Sequence, residues 1–364
     1  MRIVEIIPQL TSGGAERFTV DICNELALSN KVKLIVFFDF KEDTFLANEL
    51  NPDIEVVTMH KKPGFELGLF KRLNAEITKF KPDVVHTHLG AIQYTPLAAL
   101  LHPNIKFFHT VHSRADMESE GKLGGIVRKT LFKLGRTTPV TLSKESNDSF
   151  IDFYGLSAPI IENGRNVPAN FKSCASVIEE INSLRKSSST KVLINLASMY
   201  VVKRQPLIAR VCKRLETDGY DFVMLFVGRI YDNSILEEVN AVECSSCHVL
   251  GEKTNPLDYL NIADAYCLMS SYEGLPVSLI EALGLGVPAV CTPVGGINNV
   301  IQSGVNGILA DDISEDACYR AIKSFLDMNP TEVEQMRINA RKTYQPYTMT
   351  ACAQNYVRLF FRIL

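Results

Sequence analysis

The chain has 364 residues, 46% of them apolar and 22% charged, and a formal net charge of −3. That length exceeds one ordinary hydrophobic core and predicts two domains, while the near-balanced charge excludes the basic footprint of a nucleic-acid binder. The opening apolar run is far shorter than a signal-peptide core, so no leader is expected; no stretch reaches the ~18 apolar residues of a spanning helix, and nine scattered cysteines predict reduced thiols in a cytoplasmic protein.

In chain order, apolar and β-branched runs at 3–7, 32–38, 54–58, 84–87, 107–111 and 140–142 predict strands separated by helical patterns. A turn-rich stretch follows at 163–168, and the pattern restarts with runs at 192–197, 222–227, 248–250, 265–269, 289–291 and 307–309. Repeated strand–helix alternation specifies parallel sheets. The fold class is therefore α/β, with two Rossmann-like doubly wound domains expected at 1–168 and 169–345 and a terminal helix at 346–364 after a proline break. In such sheets ligands collect beyond the carboxyl ends of the strands, where an inter-domain cleft is expected to receive the loops of both halves.

The first such junction carries Gly13 and Gly14 directly after a strand and at the start of a helix. Glycine lets backbone approach a ligand and the helix amides favour an anion; the arrangement lacks the G-x-G-x-x-G fingerprint of dinucleotide binding. The run His109-Thr110-Val111-His112-Ser113 ends the fifth strand, so alternation turns one histidine toward the ligand edge. Segment 122–136 holds five cations, no acid and helical apolar spacing. Packing of its apolar side on the first sheet is the favoured reading, with peripheral contact to an anionic membrane as the alternative.

In the second half, Ser198 ends a strand and Lys203 and Arg204 open the next helix, placing cations where a diphosphate needs them. The pair Cys244 and Cys247, followed by His248, has metal-like spacing but no second pair, and is read without a metal or redox role. The most informative stretch is Ser270-Ser271-Tyr272-Glu273-Gly274-Leu275-Pro276 running on to Glu281. Pro276 suits a first helical position; amides near Gly274, Leu275 and Pro276 face an anion such as a diphosphate, and Glu273 and Glu281 reach different hydroxyls of one elongated ligand. Gly284-Leu285-Gly286 spells part of a dinucleotide fingerprint at a helix end, the reverse of the required context, and is read as a C-cap. Gly295-Gly296 is read either as ligand-facing amides or as a loop needing positive φ.

As an ordered set, Leu250-Gly251, Tyr259 to Ala265, Ser271 to Pro276, Glu281-Ala282, Gly286 to Val290, Gly295-Gly296 and Asn306-Gly307 closely resemble the retaining glycosyltransferases of family 4, which have the two-domain arrangement called GT-B. The resemblance spans nearly the whole chain. It implies transfer from a nucleoside-diphosphate sugar, UDP favoured over GDP, to a glycan or lipid-linked glycan of surface polysaccharide synthesis, with retained anomeric configuration. It implies Glu273 on donor-sugar hydroxyls, Glu281 on the ribose, Lys203 on the diphosphate, His112 by the sugar, Gly13 and Gly14 near phosphate and acceptor, and a last helix crossing back to the first domain. Two departures stand out: Ser198 replaces an arginine common in relatives, with Arg204 a candidate to compensate, and Asn298-Asn299 replace a frequent acidic residue. No Asp-x-Asp pair marks a metal site, so no metal and no cofactor beyond the donor are expected. A nucleotide-sugar epimerase and an inactive binding subunit are the rival readings.

Overall fold

The alternation of apolar runs with helices folds into two six-stranded sheets, seen in a computed structural model that describes residues 1–11, 13–39, 46–118 and 121–363, the side chains of 117, 118 and 121–123 apart. The first sheet comprises β1 (Arg2–Ile7), β2 (Lys31–Val36), β3 (Glu55–Thr58), β4 (Val84–His88), β5 (Lys106–Val111) and β6 (Thr138–Thr141), in the order β3-β2-β1-β4-β5-β6. The second comprises β7 (Lys191–Leu196), β8 (Phe222–Val227), β9 (Cys247–Gly251), β10 (Ala265–Leu268), β11 (Ala289–Cys291) and β12 (Gly307–Leu309), in the order β12-β11-β10-β7-β8-β9. All twelve expected strands are present with ends shifted by at most two residues. Every strand pair is parallel, which is why central strands are buried on both faces and β8 is apolar on both.

The described chain divides into two units, Met1–Arg165 with Met349–Leu364, and Asn166–Thr348, beside the expected limits of 168 and 345. In the first, Phe18 and Ile22 of helix Gly14–Ala27 and Tyr356 and Phe360 of helix Met349–Ile363 cover one face of the sheet, and Leu69, Leu73, Phe132 and Phe150 cover the other. In the second, Leu279, Ile280 and Leu283 of helix Val277–Leu285 pack on one face, and Ile208, Val211 and Phe325 on the other.

Helix Gly121–Lys133 buries Leu131 and Phe132 in the first core. Its Arg128 is 1% exposed and donates to the Leu89 carbonyl at 3.2 Å; Arg136 donates to the Ala99 carbonyl at 3.0 Å. Two of the five cations of segment 122–136 are thus consumed internally, while Lys129 and Lys133 are exposed beside Ile126 and Leu134; the Lys122 side chain lies outside the described residues. Among the described residues no helix is long and apolar enough to cross a membrane. The Cys244–Cys247 segment is a structural turn: Glu216 accepts the Ser246 amide at 3.1 Å and its hydroxyl at 3.2 Å, and all nine cysteines are free thiols.

Candidate functional site

A doubly wound sheet has one place where neighbouring crossovers leave in opposite directions, and ligands bind beyond the carboxyl ends of the two strands that flank it. In the second unit those strands are β7 and β10. Ser198 follows β7 and Ser270 to Glu273 follow β10, so the two junctions singled out in the sequence meet at one edge. Lys203, in the 3₁₀ turn Val201–Lys203, places its Nζ 2.6 Å from Glu273 Oε1. Ser270 donates its hydroxyl to the same oxygen at 2.5 Å, and Ser270 is itself held by Thr292, whose hydroxyl donates to its carbonyl at 2.7 Å. Glu273 is 8% exposed, so its charge is kept by a specific cation and a hydroxyl rather than by bulk water.

The loop after β11 packs against the backbone of Glu273 and Gly274. Gly295 has φ +55, and a Cβ there would lie 1.8 Å from the Glu273 carbonyl oxygen; Gly296 donates its N–H to the Gly274 carbonyl at 2.5 Å. The two glycines are accounted for by a close backbone crossing that only residues without Cβ allow. Pro276 is the N-cap, with ψ 127, and the helix begins at Val277, one residue later than the first-position reading. The ring still suits this place, because the proline carbonyl accepts the Leu279 and Ile280 amides at 3.2 and 3.3 Å and no N–H is left over. Glu281 is the fifth residue of that helix and 7% exposed. Gly286 closes it with φ +73, as the C-cap reading requires.

Arg204 departs from the expectation that it would reinforce Lys203. Its backbone is left-handed, φ +56, at the N-cap of helix Gln205–Thr217, and its guanidinium donates to the Ile313 carbonyl at 2.7 Å. Ser198 is half-buried, and its carbonyl accepts the Gln205 side-chain amide at 3.0 Å. Lys203 is therefore the cation brought to Glu273.

In the first unit the corresponding edge lies between β1 and β4. Gly13 is the N-cap of helix Gly14–Ala27, and the Glu16 carboxylate folds back so closely that a Gly13 Cβ would meet it at 2.2 Å; Glu16 also accepts the Thr11 hydroxyl at 2.8 Å. Ser12, between them, lies outside the described residues. Gly14 is exposed. His112, just past β5, is half-buried and contacts His88 ring to ring, Nε2 to Nδ1, at 3.0 Å. His109 is buried and bonded to Thr87 at 2.9 Å, a structural histidine on the opposite face.

Sequence reasoning missed the group behind His112. Glu5, His86 and His88 are fully buried; Glu5 contacts His86 Nδ1 at 3.0 Å and His88 Nε2 at 2.9 Å. The signal was an acid inside an apolar strand and an H-x-H step that puts both rings on one face of β4, but the strand had been read to end at Thr87. These donor atoms lie within 4.8 Å of one another. All four ring nitrogens are already hydrogen-bonded within the protein, so the group is a closed network rather than a metal centre.

Two six-stranded parallel Rossmann-like units with polar residues gathered at both switch-point edges define the GT-B class of glycosyltransferase. The fold agrees with that of Anabaena HepE, crystallised in complex with UDP and glucose, at a TM-score of 0.82 and 18% identity over 99% of each chain. The chain belongs to glycosyltransferase family 4: residues 12–167 match the Glycosyltransferase Family 4 domain and residues 176–343 the Glycosyl transferases group 1 domain. It is 24% identical to the Escherichia coli O-antigen biosynthesis glycosyltransferase WbnH over 94% of this chain and 95% of that one. It is also 27% identical to the Staphylococcus aureus capsular polysaccharide biosynthesis glycosyltransferase CapH over 78% of each.

Proposed function

We propose that this glycosyltransferase moves a sugar from a nucleoside-diphosphate donor, UDP-linked in preference to GDP-linked, to a hydroxyl of a glycan or lipid-linked glycan during surface polysaccharide synthesis. Transfer retains the anomeric configuration and needs no metal. The observation that carries the reading is the Lys203–Glu273 pair at the β7/β10 edge, directly before the helix that bears Glu281.

In this reading Glu273 accepts hydroxyls of the donor sugar and Glu281 those of the ribose. An ammonium has three N–H donors; Lys203 spends one on Glu273 and turns others to the departing diphosphate, whose charge the amino end of helix Val277–Leu285 also favours. Gly274, Leu275 and Pro276 line the sugar and diphosphate. Ser198 offers a hydroxyl at the phosphates, and Arg204, engaged with Ile313, adds only distant positive charge. Gly13, Gly14 and His112 serve the reaction from the first unit, with the diphosphate oxygen taking the acceptor proton as the new bond forms on the face the old one leaves. The complex of HepE with UDP and glucose and the O-antigen and capsular roles of WbnH and CapH support the donor class and the acceptor class.

The test is thermal protection of the purified protein by UDP, GDP, ADP and their sugar conjugates, in wild type, Glu281→Ala and Lys203→Ala. Selective protection by UDP compounds that both variants lose is expected, followed by α-retained product on NMR and activity that survives a chelator. Protection by no nucleotide would sink the proposal in favour of an inactive binding subunit, and isomerised donor without acceptor in favour of an epimerase.

A further inference from the structure

A line of six polar side chains runs through the apolar interior of the first unit: Tyr356, Thr110, His86, Glu5, His88 and His112. With Glu5 ionised, its geometry leaves one arrangement of protons. A carboxylate only accepts, so the ring nitrogens facing Glu5 carry hydrogen: Nδ1 of His86 and Nε2 of His88. A neutral imidazole has a single N–H. His86 Nε2 therefore accepts the Thr110 hydroxyl at 2.8 Å, and the Thr110 oxygen accepts from the Tyr356 hydroxyl at 2.7 Å. By the same rule His88 Nδ1 accepts, and the hydrogen in its 3.0 Å contact with His112 sits on His112 Nε2.

Burial keeps the two inner rings neutral, pulling both from 6.5 to about 3. On the covering helices, Cys23 and Tyr356 lie within the field of the carboxylate, and burial holds both protonated. Burial also pushes the Glu5 carboxyl upward, and the bond and charge of His88 oppose that; the two N–H donors are what replace water around the anion. Phe18 lies edge-on to both His88 and His112, at 5.8 and 5.6 Å, and limits rotation of the outer ring.

We propose that Glu5 and His88 are positioning residues for His112, the buried carboxylate fixing through His88 both the ring plane and the tautomer of the half-buried imidazole, with its proton on Nε2. The inference rests on His112 serving the transfer reaction. The pairing follows from register, since Glu5 lies directly opposite His86 across β1 and β4, and His88 opposite Thr110 across β4 and β5.

Glu5→Gln keeps the shape but replaces an acceptor by an N–H₂ that must face one ring. If His88 is the ring that yields, its hydrogen moves to Nδ1, and His112 must give up the Nε2–H form.

The experiment is side-chain nitrogen NMR of histidine-labelled full chain, with His112 assigned by loss of its signals in His112→Gln. In wild type at neutral pH the His112 pattern is expected to be that of the Nε2–H tautomer, and in Glu5→Gln a mixture with the Nδ1–H form. An Nδ1–H wild type overturns the proposal without any variant; a His112 tautomer unchanged in a folded His88→Leu, whose side chain offers His112 Nε2 no acceptor, overturns it as well. Donor turnover is read separately, with kcat expected to fall at least tenfold and KM for the donor to stay within about twofold. A wild type that shows the Nε2–H tautomer but turns over no nucleotide sugar would defeat the transferase reading and leave the network intact.

Discussion

Replacing Lys203 by alanine tests the candidate donor site most directly, because the structure gives this residue two separable duties. In the unliganded protein its ammonium neutralises Glu273, whose side chain is 9% exposed while that of Lys203 is 23% exposed. A pair this enclosed stands between an exposed ion pair, worth about 0–1 kcal/mol, and a buried one, whose breaking costs about 3–5 kcal/mol. Lys203→Ala should therefore destabilise by about 2 kcal/mol, since among the described residues only Ser270 remains on the carboxylate. For a unit of this size that is a fall of roughly 4–8 °C in Tm. Glu273→Gln keeps the Ser270 bond and leaves no buried anion, so it should cost about 1 kcal/mol or less, and Lys203→Ala added to it should cost little more. Denaturant titration of wild type, both single variants and the double variant closes the cycle, with an expected coupling of about 1–2 kcal/mol. The second duty appears with ligand: removing one contact to developing charge costs about 2.7–4 kcal/mol, or 10²–10³ in turnover. Additive stabilities would refute the energetic reasoning, and unchanged donor turnover in Lys203→Ala would refute the assignment to the diphosphate.

Gly295→Ala should cost about 2–4 kcal/mol and abolish nucleotide protection, because its Cβ would collide with the Glu273 carbonyl from a left-handed backbone; calorimetry with and without UDP checks both. Acid should weaken the first unit. His86 and His88 titrate near 6.5 when unfolded but at about 3 when folded, so the unfolded chain takes up protons first and stability falls as pH drops from about 6.5 toward 3. The loss is at most about 1.4 kcal/mol per pH unit for each ring, partly offset by the raised Glu5; denaturant midpoints at pH 7, 6 and 5 that do not move would contradict neutral rings. Lys129→Glu with Lys133→Glu tests the alternative of membrane contact through this helix, since both side chains are exposed: equal sedimentation with anionic liposomes before and after is the outcome expected if the helix only packs on the sheet, and release of the protein at unchanged Tm would establish the contact.

The strands were legible because a parallel sheet covered on both faces turns each strand into an unbroken apolar run. Glu273 and Glu281 were legible because they stand at fixed steps from a proline at a helix start. Other features depended on partners distant along the chain. Gly295 and Gly296 acquire their meaning from the backbone of Glu273 and Gly274, a crossing that neither segment encodes alone. Arg204 turns away from Lys203 because a positive φ redirects the chain at that residue. Glu5 reads as an intruder in an apolar strand until register sets it against His86, and Ser270 gains a role only from the fold, which brings its hydroxyl onto Glu273.

Helix Met349–Ile363 belongs to the first unit although the whole of the second precedes it in the chain. Its Met349, Cys352, Ala353, Tyr356 and Phe360 are buried, and each large apolar side chain among them is worth about 1.5–3 kcal/mol. On the ribosome, the first 165 residues emerge with part of one sheet face uncovered, helix Gly14–Ala27 alone lying on it, and with Thr110 lacking Tyr356. Domains form in order of synthesis at roughly 5–20 residues per second, so the first-made unit is the last to be completed, waiting roughly 10–40 s for its final helix. During that interval the exposed apolar face needs shelter, and a chain truncated before residue 349 would keep it uncovered permanently.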